Sequence, residues 1–158
     1  MLLAVAACGG SASNAGPTTT VAPSTTTAED ARAIDGPVMR YQTTSSPSGT
    51  LATLLEGELQ LDGDCLYFVQ GAIEQRFPIL WPADTRWDAQ NEAVVSPTGA
   101  VMQPGSIISG RGGFFYLSDV NLLAGTAALN LATRCVDNDY QQTAVFKNDG
   151  AAVGPKTN

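Results

Sequence analysis

The sequence predicts a mainly β fold, a small barrel or sandwich with one short helix or helical loop before its last strand. Three observations predict it. Apolar and polar residues alternate in short runs, turn signals recur at short intervals, and one late stretch breaks the alternation. The folded domain is expected over residues 34–148.

The clearest strand is TLATLLEGELQL, residues 50–61, where Leu55, Gly57, Leu59 and Leu61 share one face and Glu56, Glu58 and Gln60 the other. Asp62-Gly63-Asp64 supplies a tight turn, and CLYFVQ from Cys65 returns as the hairpin partner. After Gly71, AIEQRFPIL is a third strand, ended by Trp81-Pro82. Residues 82–93 read as a loop, and Ala93–Ser96 and Ala100–Gln103 as short strands around Pro97-Thr98-Gly99. Pro104-Gly105 turns the chain into SIIS, and Gly110-Arg111-Gly112-Gly113 is expected to turn it into FFYLS. Glycines at such corners permit positive φ angles and close backbone approach. Ser118 to Thr133 breaks the alternation: Ser118 or Asp119 offers an N-cap, and Leu122, Leu123, Leu129 and Ala132 fall near helical spacing. Gly125 and Thr126 weaken that helix. QTAVFK, residues 142–147, is the final strand, and residues 149–158 form a flexible tail.

Composition bounds the function. With 44% apolar and 15% charged residues the chain can bury a real core. The net charge of −7, with only Lys147 and Lys156 as lysines and six scattered arginines, argues against nucleic acid, whose backbone demands clustered cations. There is no histidine. That excludes Ser-His-Asp and Cys-His catalysis, His-ligated zinc, and the usual neutral-pH general base. No segment approaches the roughly 20 apolar residues of a spanning helix.

At the N-terminus, LLAVAA precedes Cys8, with Gly9-Gly10-Ser11 after it. Val5-Ala6-Ala7-Cys8 resembles the lipobox of bacterial lipoproteins. The resemblance implies cleavage before Cys8 and a diacylglycerol on its thiol. Residues 1–7 are then a signal-peptide remnant whose start lies upstream, because no basic residue precedes a run shorter than usual. Residues 8–33 are rich in Ser, Thr, Ala and Pro, too poor in large apolar groups to pack, and form a disordered tether. The expected location is the extracytoplasmic face of the cell membrane, or the secreted fraction.

A second resemblance covers most of the domain. GELQLDGDCLYF, FPILWPADTRW and PGSIISGRGGFF, followed by a late cysteine, look like small secreted or lipid-anchored proteins of actinobacteria. It implies a small OB-like, Greek-key β-barrel and no particular reaction.

With Cys8 lipidated, Cys65 and Cys135 remain, and an exported protein meets oxidising conditions. They are expected to form a disulfide joining the early and late halves of the barrel; two buried thiols are the alternative. Trp81 and Trp87 flank Asp84, Arg86 and Asp88. These residues form a possible ligand surface, with exposed indoles stacking on sugar rings of an envelope polymer. The blander reading, which the usual burial of large aromatics favours, has Trp81 plugging one barrel end and Trp87 covering its rim. Glu56 and Glu58 read as the solvated face of their strand rather than a glycosidase pair. Ser109–Gly113 reads as a hairpin turn rather than a phosphate cradle, lacking the Lys-Ser/Thr ending and following helix of a P-loop. If the cysteines meet, Asp62, Asp64, Asp137 and Asp139 gather near enough to offer hard oxygen ligands for Ca²⁺, although Asp is common in turns anyway. No catalytic residue, resident metal or cofactor is assigned. The expected function is a non-enzymatic envelope module, structural or binding a protein, polysaccharide or lipid; the alternative is a carboxylate-dependent hydrolase of an envelope polysaccharide.

Overall fold

Strict alternation gives β3 (Thr53–Asp62) two unlike faces, with Leu55, Gly57 and Leu59 buried and Leu54 and Glu56 exposed. The computed structural model describes residues 33–41, 53–71, 74–147 and 154–155. Across the Gly63 turn (φ 58), β3 pairs antiparallel with β4 (Cys65–Gln70), and β4 pairs antiparallel with β5 (Gln75–Trp81). Strand β5 runs parallel to β10 (Gln142–Phe146), and β10 antiparallel to β9 (Ile107–Tyr116). Strand β9 returns to β3, with Leu55 opposite Gly110, and closes a five-stranded barrel. Counted along the chain, its strands close in the order first, second, third, fifth, fourth. This is the OB-like Greek-key arrangement expected above.

The barrel interior holds Leu59, Phe68, Phe77, Ile79, Trp81, Ile108 and Phe146, all but fully buried. Trp81 stacks on Phe146 with centroids 5.6 Å apart, and Phe68 meets Phe146 edge-on at 5.7 Å. Offset and edge-to-face arrangements such as these add to plain area burial.

Between the third and fourth barrel strands lies a meander of β6 (Arg86–Asp88), β7 (Ala93–Val95) and β8 (Val101–Met102). Strand β6 lies where a loop is expected, because three residues are too few to show a period. Val94 and Met102 are fully buried in the barrel cluster, so the meander closes one barrel end. Two further short strands, β1 (Ile34–Asp35) and β2 (Val38–Arg40), extend the sheet beyond β5, with Met39 opposite Leu80 and Arg40 opposite Trp81.

The Gly110–Gly113 stretch is not a turn. It lies inside the ten-residue β9, which runs unbroken to Tyr116. A Cβ on Gly112 would lie 2.2 Å from the Val145 carbonyl oxygen and 2.9 Å from Leu55 Cδ1. The glycine is there because the neighbouring strand crosses where a side chain would stand.

The break in alternation becomes α1 (Leu117–Cys135), longer than expected and interrupted at Gly125 (φ 82, ψ 178). Neither Ser118 nor Asp119 is its N-cap; Tyr116 holds that position without a side-chain bond. Helix α1 lays Val120, Ala124, Ala128, Leu131 and Ala132 on the outside of the barrel against Met39, Tyr67, Leu80 and Val145. This second core explains why β5 and β10 are apolar on both faces while β3 alternates: helix covers the former and water the latter. After the helix, Asn138 Nδ2 donates to the carbonyls of Arg76 (3.2 Å) and Gln142 (3.0 Å), and its Oδ1 accepts the Gln142 N–H at 2.9 Å. That side chain ties the turn to both β5 and β10.

Cys65 and Cys135 form the disulfide, with Cα atoms 5.6 Å apart. Cys135 is the last residue of α1, so the bond pins the helix end to the outside of β4. In the expected tail, β11 (Gly154–Pro155) pairs with β9, Gly154 opposite Ser109. Ala33, expected in the tether, is buried in the second core. Cys8 and the rest of residues 1–32 lie outside the described residues.

Candidate functional site

Because α1 covers the β5 and β10 side of the barrel, the polar face of β3 is left open. Glu56, Glu58 and Gln60 point outward there and line a cleft of about 870 Å³. Val69, Gly71, Glu74, Arg76, Ser106 and Ile107 complete its walls. The cleft therefore has three carboxylates from two elements, β3 and the β4–β5 turn, around a small apolar patch of Val69 and Ile107. Gln60 Nε2 donates to Glu58 Oε1 at 3.2 Å, which orients that carboxylate. Gly57 also lines the cleft, and on the inward face of β3 a Cβ there would lie 2.7 Å from Phe68 Cε2.

At one end of the cleft Arg76 ties several elements together. Its Nη2 donates to Asp62 Oδ2 at 3.0 Å, and its Nε forms an ion pair with Asp137 at 3.4 Å that lacks hydrogen-bond alignment. The guanidinium lies 3.9 Å over the Tyr67 ring, a cation–π contact. Burial works against the Arg76 charge, but the Asp62 hydrogen bond and the nearby Asp137 outweigh it and hold its pKa above the ordinary value. Burial pushes the Tyr67 phenol up, and the Arg76 charge pulls partly against it.

This cluster settles the aspartates considered for Ca²⁺. The cysteines do meet, and Asp62 and Asp137 do converge, but the cation between them is the chain's own Arg76. Among the described residues no group of three or more metal-ligating side chains comes together.

The tryptophan loop divides. Trp81 is fully buried, as the blander reading expects, and offers no face to a ligand, which removes it from the possible stacking surface. Its Nε1 has no hydrogen-bond partner among the described residues. Trp87 is half-buried against the barrel cluster, with Gly36 so close that a Cβ would lie 2.7 Å from Trp87 Cδ1. Its backbone N–H donates to Asp35 Oδ2 at 3.0 Å. Asp84 and Arg86 stay exposed and line a separate cleft of about 360 Å³ with Arg40, Ser96, Pro97 and Gly99. The sequence thus found the loop but not its partner Arg40, which comes from β2, a strand too short to announce itself.

No helix among the described residues is long and apolar enough to cross a membrane. No protein-family model, curated protein or solved structure matches the chain.

Proposed function

We propose that this chain is an extracytoplasmic lipoprotein, anchored through Cys8, whose barrel binds an envelope component in the cleft on the β3 face without chemical turnover. The observation that carries the reading is the cleft itself: about 870 Å³, the size of ordinary ligand sites, on an internally cross-linked barrel. Its Glu56, Glu58, Glu74 and Gln60 suit a partner rich in hydroxyl or amino groups. The same carboxylates repel phosphate backbones, in line with the acidic whole. OB barrels lay oligomers across their second and third strands. Here α1 covers Tyr67 and Leu80 on those strands, which leaves the β3 side for a ligand.

Co-sedimentation with isolated cell walls tests this reading. The full chain should pellet with the walls, less so as salt rises, and the triple variant Glu56→Gln/Glu58→Gln/Glu74→Gln should stay in the supernatant. Equal pelleting of the folded triple variant would refute the cleft's role.

A second reading, a carboxylate-dependent glycoside hydrolase, draws on Glu74 entering the cleft from a different element than Glu58. Such enzymes place two carboxyls about 5–9.5 Å apart across the scissile bond, one of them protonated. Against it, Glu56 and Glu74 are exposed to water in an open cleft. Reducing-sugar release from wall polysaccharide, abolished by Glu58→Gln or Glu74→Gln, would establish the hydrolase instead.

A further inference from the structure

The smaller cleft is cationic on an acidic protein, and its charges are unequally matched. Arg40 Nη1 donates to the Thr85 carbonyl at 3.2 Å and Nη2 reaches the Ile34 carbonyl at 3.5 Å, so the side chain is fixed in place. Its side chain is only 18% exposed, and its Nε is buried without a hydrogen-bond partner among the described residues. The nearest carboxylate oxygen among the described residues, Asp35 Oδ2, is 4.0 Å away and already accepts the Trp87 N–H. A largely buried guanidinium held by carbonyls and one distant carboxylate keeps much of its charge unanswered, a costly arrangement unless an anion approaches. Arg86, exposed on β6, lines the same cleft and makes no ion pair with a described residue. Arg76, by contrast, is matched by Asp62 and Asp137.

Ser96, Pro97 and Gly99 complete the lining from a hydrogen-bonded turn. The Ser96 hydroxyl lies 2.9 Å from the Thr98 hydroxyl and accepts the Ala100 N–H at 3.0 Å, and the Gly99 N–H returns to the Ser96 carbonyl at 2.9 Å. Asp84 stands at the lip in a left-handed conformation (φ 66) that a non-glycine residue adopts at some cost. An ionised carboxylate beside two guanidiniums would repel a bare oxyanion and accept a hydrogen bond from a hydroxyl carried beside the anionic group.

We propose that the cleft of Arg40, Arg86 and Asp84 binds a hydroxylated anion, an acidic sugar residue whose carboxylate meets the two guanidiniums and whose neighbouring hydroxyl meets Asp84. The site is distinct from the β3 cleft, with which it shares no lining residue. It does not depend on what that cleft binds.

The test is a backbone amide NMR titration of the full chain carrying Cys8→Ala, with sodium D-glucuronate, inorganic phosphate and D-glucose as probes. Glucuronate should give saturable shifts in the millimolar range, confined to residues around Arg40, Asp84, Arg86 and Ser96–Gly99. Glucose should give none, and phosphate should bind more weakly than glucuronate. Arg86→Gln should weaken glucuronate about fivefold, as the loss of one exposed charge-assisted pair implies. Asp84→Asn should reverse the preference, strengthening phosphate and weakening glucuronate. Phosphate binding as tightly as glucuronate, or shifts indifferent to Arg86→Gln, would overturn the proposal; so would the absence of any saturable shift in a folded sample.

Discussion

Removing the Cys65–Cys135 bond, in the double variant Cys65→Ala/Cys135→Ala, perturbs the unfolded chain more than the folded one. The bond spans 70 residues of sequence. Chain entropy assigns a loop of that length roughly 4 kcal/mol. Against the ~5–15 kcal/mol that domains typically possess, the loss is large, but it need not unfold the protein. Helix α1 keeps its apolar seat on Met39, Leu80 and Val145, and Arg76 still bridges Asp62 to Asp137. The variant should therefore retain its far-ultraviolet circular dichroism while its urea midpoint falls sharply. Its urea m-value should rise, because an unfolded chain freed of the cross-link exposes more surface. A loss below about 1 kcal/mol with an unchanged m-value would refute this account.

Gly112→Ala forces a Cβ against the Val145 carbonyl, a backbone atom that cannot swing aside, and should destabilise by about 1–3 kcal/mol or more. Gly71→Ala, which meets nothing within 4 Å among the described residues, should stay within about 0.5 kcal/mol in the same urea titration. The Tyr67 phenol has a folded pKa raised above 10.0, so its contribution to stability is complete below pH 10.0 and is lost as pH rises through the folded value. Ultraviolet tyrosinate titration should show a late-ionising component that Tyr67→Phe removes, and Arg76→Gln should delay it further by removing the charge that favours tyrosinate. Cys8→Ala, expressed from the native gene, should move the protein from the membrane fraction to the soluble one, since it removes the acyl chains that would hold the protein there. Unchanged fractionation would contradict the anchor.

The β3–β4 hairpin was legible because alternation, an Asp-Gly turn and a second apolar run all point to one structure. The disulfide followed from counting cysteines. The glycines at 110–113 misled, because glycine marks a backbone that needs space or freedom without saying which. At Gly112 the need was space beside Val145, a residue 33 positions later (145 − 112) and invisible locally. The outward row Glu56, Glu58, Gln60 was visible as a polar face, yet nothing in it showed that α1 would cover the other side and leave a cleft here. Arg76 escaped notice for the same reason. Its partners Asp62 and Asp137 lie on either side of it in sequence, and only the closed barrel and the pinned helix end bring them to one guanidinium. The usual burial of large aromatics already separated Trp81, inside the barrel, from Trp87, at its rim; the register of β5 and the position of β6 place them so.

The central claim is that the β3 cleft is the surface through which the protein meets the envelope. A photo-crosslinking residue placed at Gln60, in the cleft, can be compared in living cells with one at Asn130, exposed on α1. The account predicts a discrete adduct from Gln60 that is absent from Asn130 and disappears in the Glu56→Gln/Glu58→Gln/Glu74→Gln background. The same adducts from both positions, or none from Gln60, would contradict it.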